Sequence, residues 1–358
     1  MKMKRYLSLL LALCMVLALT ACGGSGGSGS SGGASGGSQG GSGSAGGASG
    51  GSGSAGAAVT LKFACDDTTT SAYYLALEEF KKEVEEKSGG SIAVDLYGDA
   101  ALGSALDTIE GMNLGTIECV FASTAAISSF VPEFYYVDAP FIFRDAAHAH
   151  AVVDGEIGDI IAQASLDSQG IRILGWYDTG FRNIYSAKEV RSIDDLKGLK
   201  IRTMQSDLHT ATFEALGCLP TPMSSSEVYT SLSQGTIDAA ENNYSYVVNQ
   251  SMYEVCPYVI NTGHFYAFCV IMIAEKVFQS LTPEQQEIVL TAADNSVVYQ
   301  RELMDQQNTD AVDFLTDKGI EFIDLDRDVL KETVQSVYTN YADRLDAGIM
   351  EKIENTQG

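Results

Sequence analysis

The residue in this chain best suited to hold an anion is Arg202, in the stretch GLKIRTM, Gly198 to Met204. An extended chain sends alternate side chains to opposite faces, so Leu199 and Ile201 point one way and Lys200 and Arg202 the other. Taken alone, such a strand puts its charges in water. A guanidinium facing a ligand instead would offer a planar fork of donors that never loses its charge and can grip a carboxylate with two parallel hydrogen bonds. Other residues could meet a ligand too. Asp66, Asp67 and Thr68 close an alternating apolar stretch, VTLKFAC, where loops of α/β lobes open toward a cleft. Asp67 and Thr68 are placed to contact ligand hydroxyls. Trp176 and Tyr177 end another strand-like run, IRILGW, where they either pack as aromatics or stack on a ligand.

Other chemistries find little support. The four histidines (148, 150, 209 and 264) have no carboxylate or cysteine companions at zinc spacing, so His148 and His150 do not read as a metal pair. Seven cysteines occur. Cys14 and Cys22 lie near the start of the chain. Cys65, Cys119, Cys218, Cys256 and Cys269 are odd in number and widely spaced, which suits small buried hydrophobes better than a disulfide framework, though one pairing stays open. The patterns G-x-S-x-G at 23–27 and G-x-G-x-x-G at 24–29 fall inside a Gly/Ser/Ala tract with no strand before or helix after, so they are accidents of composition. A surface enzyme acting on sugar acids would need a nucleophile and base, or paired carboxylates, and none stands out. No cofactor is implied.

The elements that must position Arg202 follow a long leader. Lys2, Lys4 and Arg5 precede an apolar run from Tyr6 to Leu19 and then Leu19-Thr20-Ala21-Cys22. Charge, apolar run and small residues are the parts of a secretory signal. The last four residues resemble a bacterial lipobox, which implies lipidation of Cys22 and anchoring to the cell membrane from outside the cytoplasm. Residues 23–57 are almost all Gly, Ser and Ala, the composition of a flexible tether with an r.m.s. reach of about 30 Å. About 300 residues remain, enough for two lobes at roughly 100–200 residues each. A formal charge of −25 argues against nucleic acid and against adhesion to anionic lipid. An anion site in such a chain has to be built locally from arginine.

Periodicity then gives an α/β rhythm with a largely parallel sheet. Strands are expected at Val59–Cys65, Ile92–Tyr97, Thr116–Ala122, Ile171–Trp176 and Phe265–Ile273, with shorter ones in NIYS, GLKIRTM, TIDAAE and KGIEFIDL. Ser71 caps a helix whose Tyr73, Leu77, Phe80 and Val84 share one face. Further helices are expected at 105–112, 146–169, 206–216 and 225–234, and a long one runs from Pro283 to about Thr316. The organisation expected is two lobes with chain crossings between them: 58–177 with 267–358 mainly in the first, and 178–266 mainly in the second.

From Val59 to about Ala293 the chain resembles the extracytoplasmic solute-binding subunits of TRAP (tripartite ATP-independent periplasmic) transporters, the DctP type. The resemblance rests on GFRNIYS (180–186), DDLKGLKIRTMQS (194–206), EALGCLPTPMSSSEVYTSLSQGTIDAAENN (214–243) and YEVCPYVINTGHFY (253–266). LKFA, GSALDTIEGMNLGTIEC and DAPFIF precede them in order. It implies a two-lobe periplasmic-binding-protein-like fold, with chain crossings and a long helix between lobes, closing on a small organic acid. It also implies delivery of that acid to membrane permease subunits. It puts Arg202 on the ligand carboxylate, with a second arginine, Arg182 of the Gly-x-Arg turn, 20 residues upstream, and an asparagine, Asn242, which follows Glu241 in the chain. Arg182 as a surface ion pair and Asn242 as a turn or cap residue are the plainer alternatives. Glu241 and His264 read as buried structural groups.

The chain departs from the family pattern at two places. Ser225 stands where a large side chain often packs on the ligand, and Ser123 stands where sialic-acid-binding members carry a glutamate. Both changes give a roomier, hydroxyl-lined pocket, which favours a hexuronate or related sugar acid over a C4-dicarboxylate. A binding lipoprotein that serves a sensor or an ABC permease would carry the same arginine.

Overall fold

A computed structural model describes residues 59–358. The leader, Cys22 and the Gly/Ser/Ala tract lie outside the described residues. Among the described residues nine strands form one sheet: β1 (Val59–Ala64), β2 (Ile92–Tyr97), β3 (Cys119–Ser123), β4 (Ile171–Ser186), β5 (Lys200–Thr203), β6 (Leu219–Pro222), β7 (Ala239–Asn242), β8 (Tyr258–Ala274) and β9 (Glu321–Asp324). Their order is β2-β1-β3-β8-β4-β7-β5-β6, with β9 on β8. At one end β1 pairs β2 and β3 in parallel. At the other, β5 pairs β6 and β7 in parallel. These are the sheets of two α/β lobes, as the rhythm predicted.

The middle corrects the expectation of a largely parallel sheet. β4 and β8 are 16 and 17 residues long and run antiparallel to one another from Ile171↔Ala274 to Ser186↔Tyr258. Each spans roughly 50 Å at about 3.3 Å per residue, enough to belong to both lobes. β3 and β7 join this pair antiparallel as well. From sequence, IRILGW and NIYS read as separate strands because Asp178-Thr179-Gly180 looks like a break. In the fold those residues form a bulge within β4, where the register shifts between Asp178 and Gly180. Gly180 adopts φ +81°, a conformation that side chains with a Cβ resist. Arg182 therefore sits in a crossing strand and not in a turn. The lobe boundaries expected at 177/178 and 266/267 fall inside β4 and β8.

The long helix, Pro283–Asp317, starts with a reciprocal cap between Thr282 and Gln285. It packs on the helix Ala72–Lys87, on β4 and on the helix Tyr244–Asn249. Gln300 fixes it to the bulge: its Oε1 accepts from the Asp178 amide (2.6 Å) and its Nε2 donates to the Asp178 carbonyl (2.8 Å). The bulge leaves these backbone groups out of the ladder, and the helix supplies the missing partners. The helix Ala72–Lys87 buries Tyr73, Leu77, Phe80 and Val84, the face read from sequence. The expected helix at 146–169 is two helices, Ala146–Val153 and Glu156–Gln169. They meet so closely that a Cβ on Gly158 would lie 1.8 Å from the Val153 carbonyl oxygen. Cys65, Cys119, Cys218, Cys256 and Cys269 are all buried free thiols.

Candidate functional site

In parallel sheets, loops after the carboxyl ends of strands build ligand sites. Here the ends of two such sheets face one cavity of about 80 Å³, several times the roughly 10–15 Å³ that one water needs. Asp66 and Asp67 follow β1, and Ser123 ends β3. Arg202 lies near the end of β5, Ser224 and Ser225 follow β6, and Asn242 ends β7. Thr179 and Arg182 of β4 and Cys269 of β8 complete the wall from the crossing strands. Of the eight ligand residues expected from sequence, six meet here: Arg202, Arg182, Asn242, Asp67, Ser123 and Ser225.

Arg202 is only 4 % exposed. Its Nε and Nη2 donate to the Met223 carbonyl at 3.0 and 2.8 Å. That contact fixes the plane of the guanidinium and leaves both Nη1 hydrogens without a partner among the described residues. No ion pair forms with it there either. A buried cation without a counter-ion is costly to hold unless something in the site pairs with it.

Arg182 is different. Its Nε and Nη2 bind both carboxylate oxygens of Glu241 at 2.6 and 2.9 Å, and Nη2 also donates to the Glu241 carbonyl. Nη1 donates to Asn242 Oδ1 at 3.0 Å. Four of five donors are thus committed, and the charge is matched inside the protein. Glu241 is fully buried. Burial alone would raise its pKa, but Arg182 and His264 hold the carboxyl well below the usual range. His264 Nδ1 lies 2.6 Å from the Thr262 hydroxyl and Nε2 3.2 Å from Glu241. Burial lowers the pKa of His264, and a neutral ring protonated on Nε2 satisfies both contacts. Glu241 and His264 are thus structural partners of Arg182. Asn242 spends its carbonyl on Arg182 and on the Asn243 amide, and keeps its NH₂ for the cavity.

Around these groups stand hydroxyls. Ser225 Oγ is 2.7 Å from Tyr246 Oη, and Tyr73 donates to Thr179 at 2.9 Å. Ser123 accepts from the Ala126 amide, capping the short helix Thr124–Ile127. The acidic wall is part-exposed. Burial pushes the Asp66 carboxyl up to about 6, with backbone amides and Arg202 pulling the other way. Burial, and then the charge of Asp66, push Asp67 up to about 7.

Two expected residues do not reach the cavity. The Trp176 ring is buried 5.6 Å from Phe134 and 6.1 Å from Phe268, core packing on the other side of β4 from Tyr177, which turns to Phe121 and Ser296. Thr68 turns its hydroxyl to Asp67 and Thr70 and braces the Asp67 carboxylate with its amide at 2.7 Å. Sequence reading missed Tyr73, Gln205 and Tyr246 in the wall, and did not commit to Asp66. Asp66 carried a signal, its place at the end of β1. Tyr73 and Tyr246 lie on helices where a tyrosine reads as core. Elsewhere, no group of three or more metal-type ligands occurs among the described residues, and no helix there is long and apolar enough to cross a membrane.

Comparison with known proteins agrees with this architecture. The family model of bacterial extracellular solute-binding proteins, family 7 (DctP), matches residues 63–344. The 2,3-diketo-L-gulonate-binding periplasmic protein of Escherichia coli K12 is 33 % identical over 280 residues, 78 % of this chain and 85 % of that protein. A TRAP periplasmic solute-binding protein from Xanthobacter autotrophicus, solved with β-D-galacturonate, is 33 % identical with a TM-score of 0.80, covering 83 % of this chain and 100 % of that one. Another from Pseudomonas putida F1, solved with D-glucuronate, is 30 % identical with a TM-score of 0.81, covering 84 % and 98 %. The chain belongs to the DctP family, the solute-binding subunits of TRAP transporters.

Proposed function

We propose that this protein binds a sugar acid, a hexuronate or a close relative, and hands it to a TRAP permease. The observation that carries the reading is the buried guanidinium of Arg202, without an ion-pair partner among the described residues, in a cavity whose polar groups are hydroxyls, amides, two carboxyls and the already paired Arg182. A carboxylate would take the free Nη donors and cancel the charge. Hydrogen bonds to charged groups contribute about 1.5–3 kcal/mol each, whereas micromolar binding needs about 8 kcal/mol. The remainder comes from Arg182, Asn242, hydroxyl contacts at Ser123, Ser225 and Asp67, and closure of the lobes about β4 and β8. Relatives with bound galacturonate and glucuronate support the ligand class. C4-dicarboxylates fit less well, because one free cation serves one carboxylate.

We also propose a lipid anchor at Cys22, with the Gly/Ser/Ala tract as tether, outside the cytoplasm. A fatty-acid label incorporated by the wild type and lost in Cys22→Ser tests the anchor. Labelling of the variant to the same extent would refute it. The ligand reading is tested by thermal shift with a panel of hexuronates, aldonates and C4-dicarboxylates on the wild type and Arg202→Ala. Ligands of the native state raise Tm by mass action. Hexuronates should shift the wild type, and Arg202→Ala should weaken them by about 100-fold or more, the loss of two charged hydrogen bonds. Equal shifts in both proteins would refute the role of Arg202.

A further inference from the structure

Four charged side chains line the cavity: Asp66, Asp67, Arg182 and Arg202. Arg182 is already matched by Glu241 at 2.6 Å. One unpaired cation therefore faces two carboxyls. Nothing in the proposed reading uses both of them, and the sugar-acid reading leaves open how the cavity treats the end of the ligand away from Arg202.

We propose that the Asp66–Asp67 pair is the specificity wall of the cavity, which admits acids with one carboxylate and a hydroxyl-bearing remainder and rejects dicarboxylates of the same size. The inference rests on the reading of Arg202 as the carboxylate clamp. Once a first carboxylate has neutralised Arg202, a second placed against Asp66 and Asp67 would meet like charge at close range, which repels it. Hydroxyls are donors, and an aspartate carboxylate is an acceptor with up to four lone-pair sites. Asp67 spends one oxygen on the Thr68 amide and keeps the other. Asp66 takes backbone amides, its own and that of Ala105, but no side-chain donor among the described residues. A ring or chain of hydroxyls satisfies both aspartates, and a carboxylate satisfies neither.

The groups that act on the pair are Cys65 on the same segment, Asp99 after β2, Cys269 of β8 and Tyr246. Tyr73 of the helix Ala72–Lys87 and Arg202 act on it as well, and Arg182 lines the same cavity. Among these groups the only cations are the arginines: Arg182 is committed to Glu241, and Arg202, which favours the Asp66 carboxylate, is the group that a bound carboxylate would engage. At pH 8 both are ionised, since burial raises them only to about 6 and 7.

The test is calorimetric titration of the full chain at pH 8 with hexuronates and with the aldarates of the same carbon skeleton: galacturonate against galactarate, glucuronate against glucarate. The wild type should prefer a uronate by at least 100-fold. The Asp66→Asn, Asp67→Asn double variant, shown folded by its circular dichroism and melting, should narrow that gap to less than 10-fold. Asparagine removes the charge, keeps one acceptor oxygen and turns the other into an NH₂ donor, so the decisive readout is the ratio of uronate to aldarate affinity in each protein rather than either affinity alone. An aldarate bound as tightly as its uronate by the wild type overturns the inference and leaves the arginine clamp standing. So does a double variant that keeps the full discrimination. Binding of neither class by the wild type overturns the sugar-acid reading and this inference together.

Discussion

At the scale of single residues, two arginines 20 positions apart hold the same formal charge in the same cavity and do different work. The difference is in their partners. Arg202 leans on a backbone carbonyl and keeps donors free. Arg182 is locked to Glu241. Glu241→Gln should therefore lower stability by about 3–5 kcal/mol, the typical cost of leaving a buried charge unmatched, and chemical denaturation would read this as an earlier midpoint. A change under 1 kcal/mol would mean that Arg182 finds another partner. Arg202 was legible in the chain because a family block surrounds it. The position of Arg182 was legible too, but not its pairing, since Glu241 lies 59 residues away on another strand. Trp176 misled because a strand-ending aromatic looks the same from sequence whether it faces core or cavity. One residue of alternation decides that, and β4 has three register shifts that break the count.

At the scale of elements, the anchor of the site is the contact between the bulge in β4 and the long helix. Gln300 is fully buried and serves two backbone groups of Asp178. Gln300→Ala should cost about 1–3 kcal/mol for each group left unsatisfied. Urea unfolding checks this, and an unchanged midpoint would mean that water replaces the side chain without loss. Element types were largely readable from period and caps: the Ser71 and Thr282 caps both accept the amides that the pattern assigns to them. The crossing strands were not readable. Glycine at 180 looks like a stop in a local window, and only pairing with β8 and the helix turns it into a bulge. The break at Gly155 was hidden for a related reason, because the close approach of Gly158 to Val153 is a tertiary contact.

At the scale of the whole molecule, the two lobes turn a cation and an acidic pair toward one space, and the acidic pair makes stability depend on pH. Asp67 sits at about 7 in the fold against an ordinary 3.8. Between those values the native state holds a proton that the unfolded chain has lost. The contribution of Asp67 to stability is thus complete below about pH 4 and disappears as pH rises through 7. Asp67→Asn should melt higher than the wild type at pH 8 without ligand, by a few degrees, and should match it near pH 4. A variant less stable at pH 8 would contradict this. The central claim is that the molecule closes on a carboxylate. The most direct measurement is calorimetric titration of the full chain with hexuronates and with the neutral hexoses that differ from them only in lacking the carboxylate, such as D-galacturonate and D-galactose. The account predicts binding of an acid at micromolar affinity or tighter and no heat from its neutral counterpart. Equal binding of the neutral sugar, or binding of the neutral sugar alone, would contradict it.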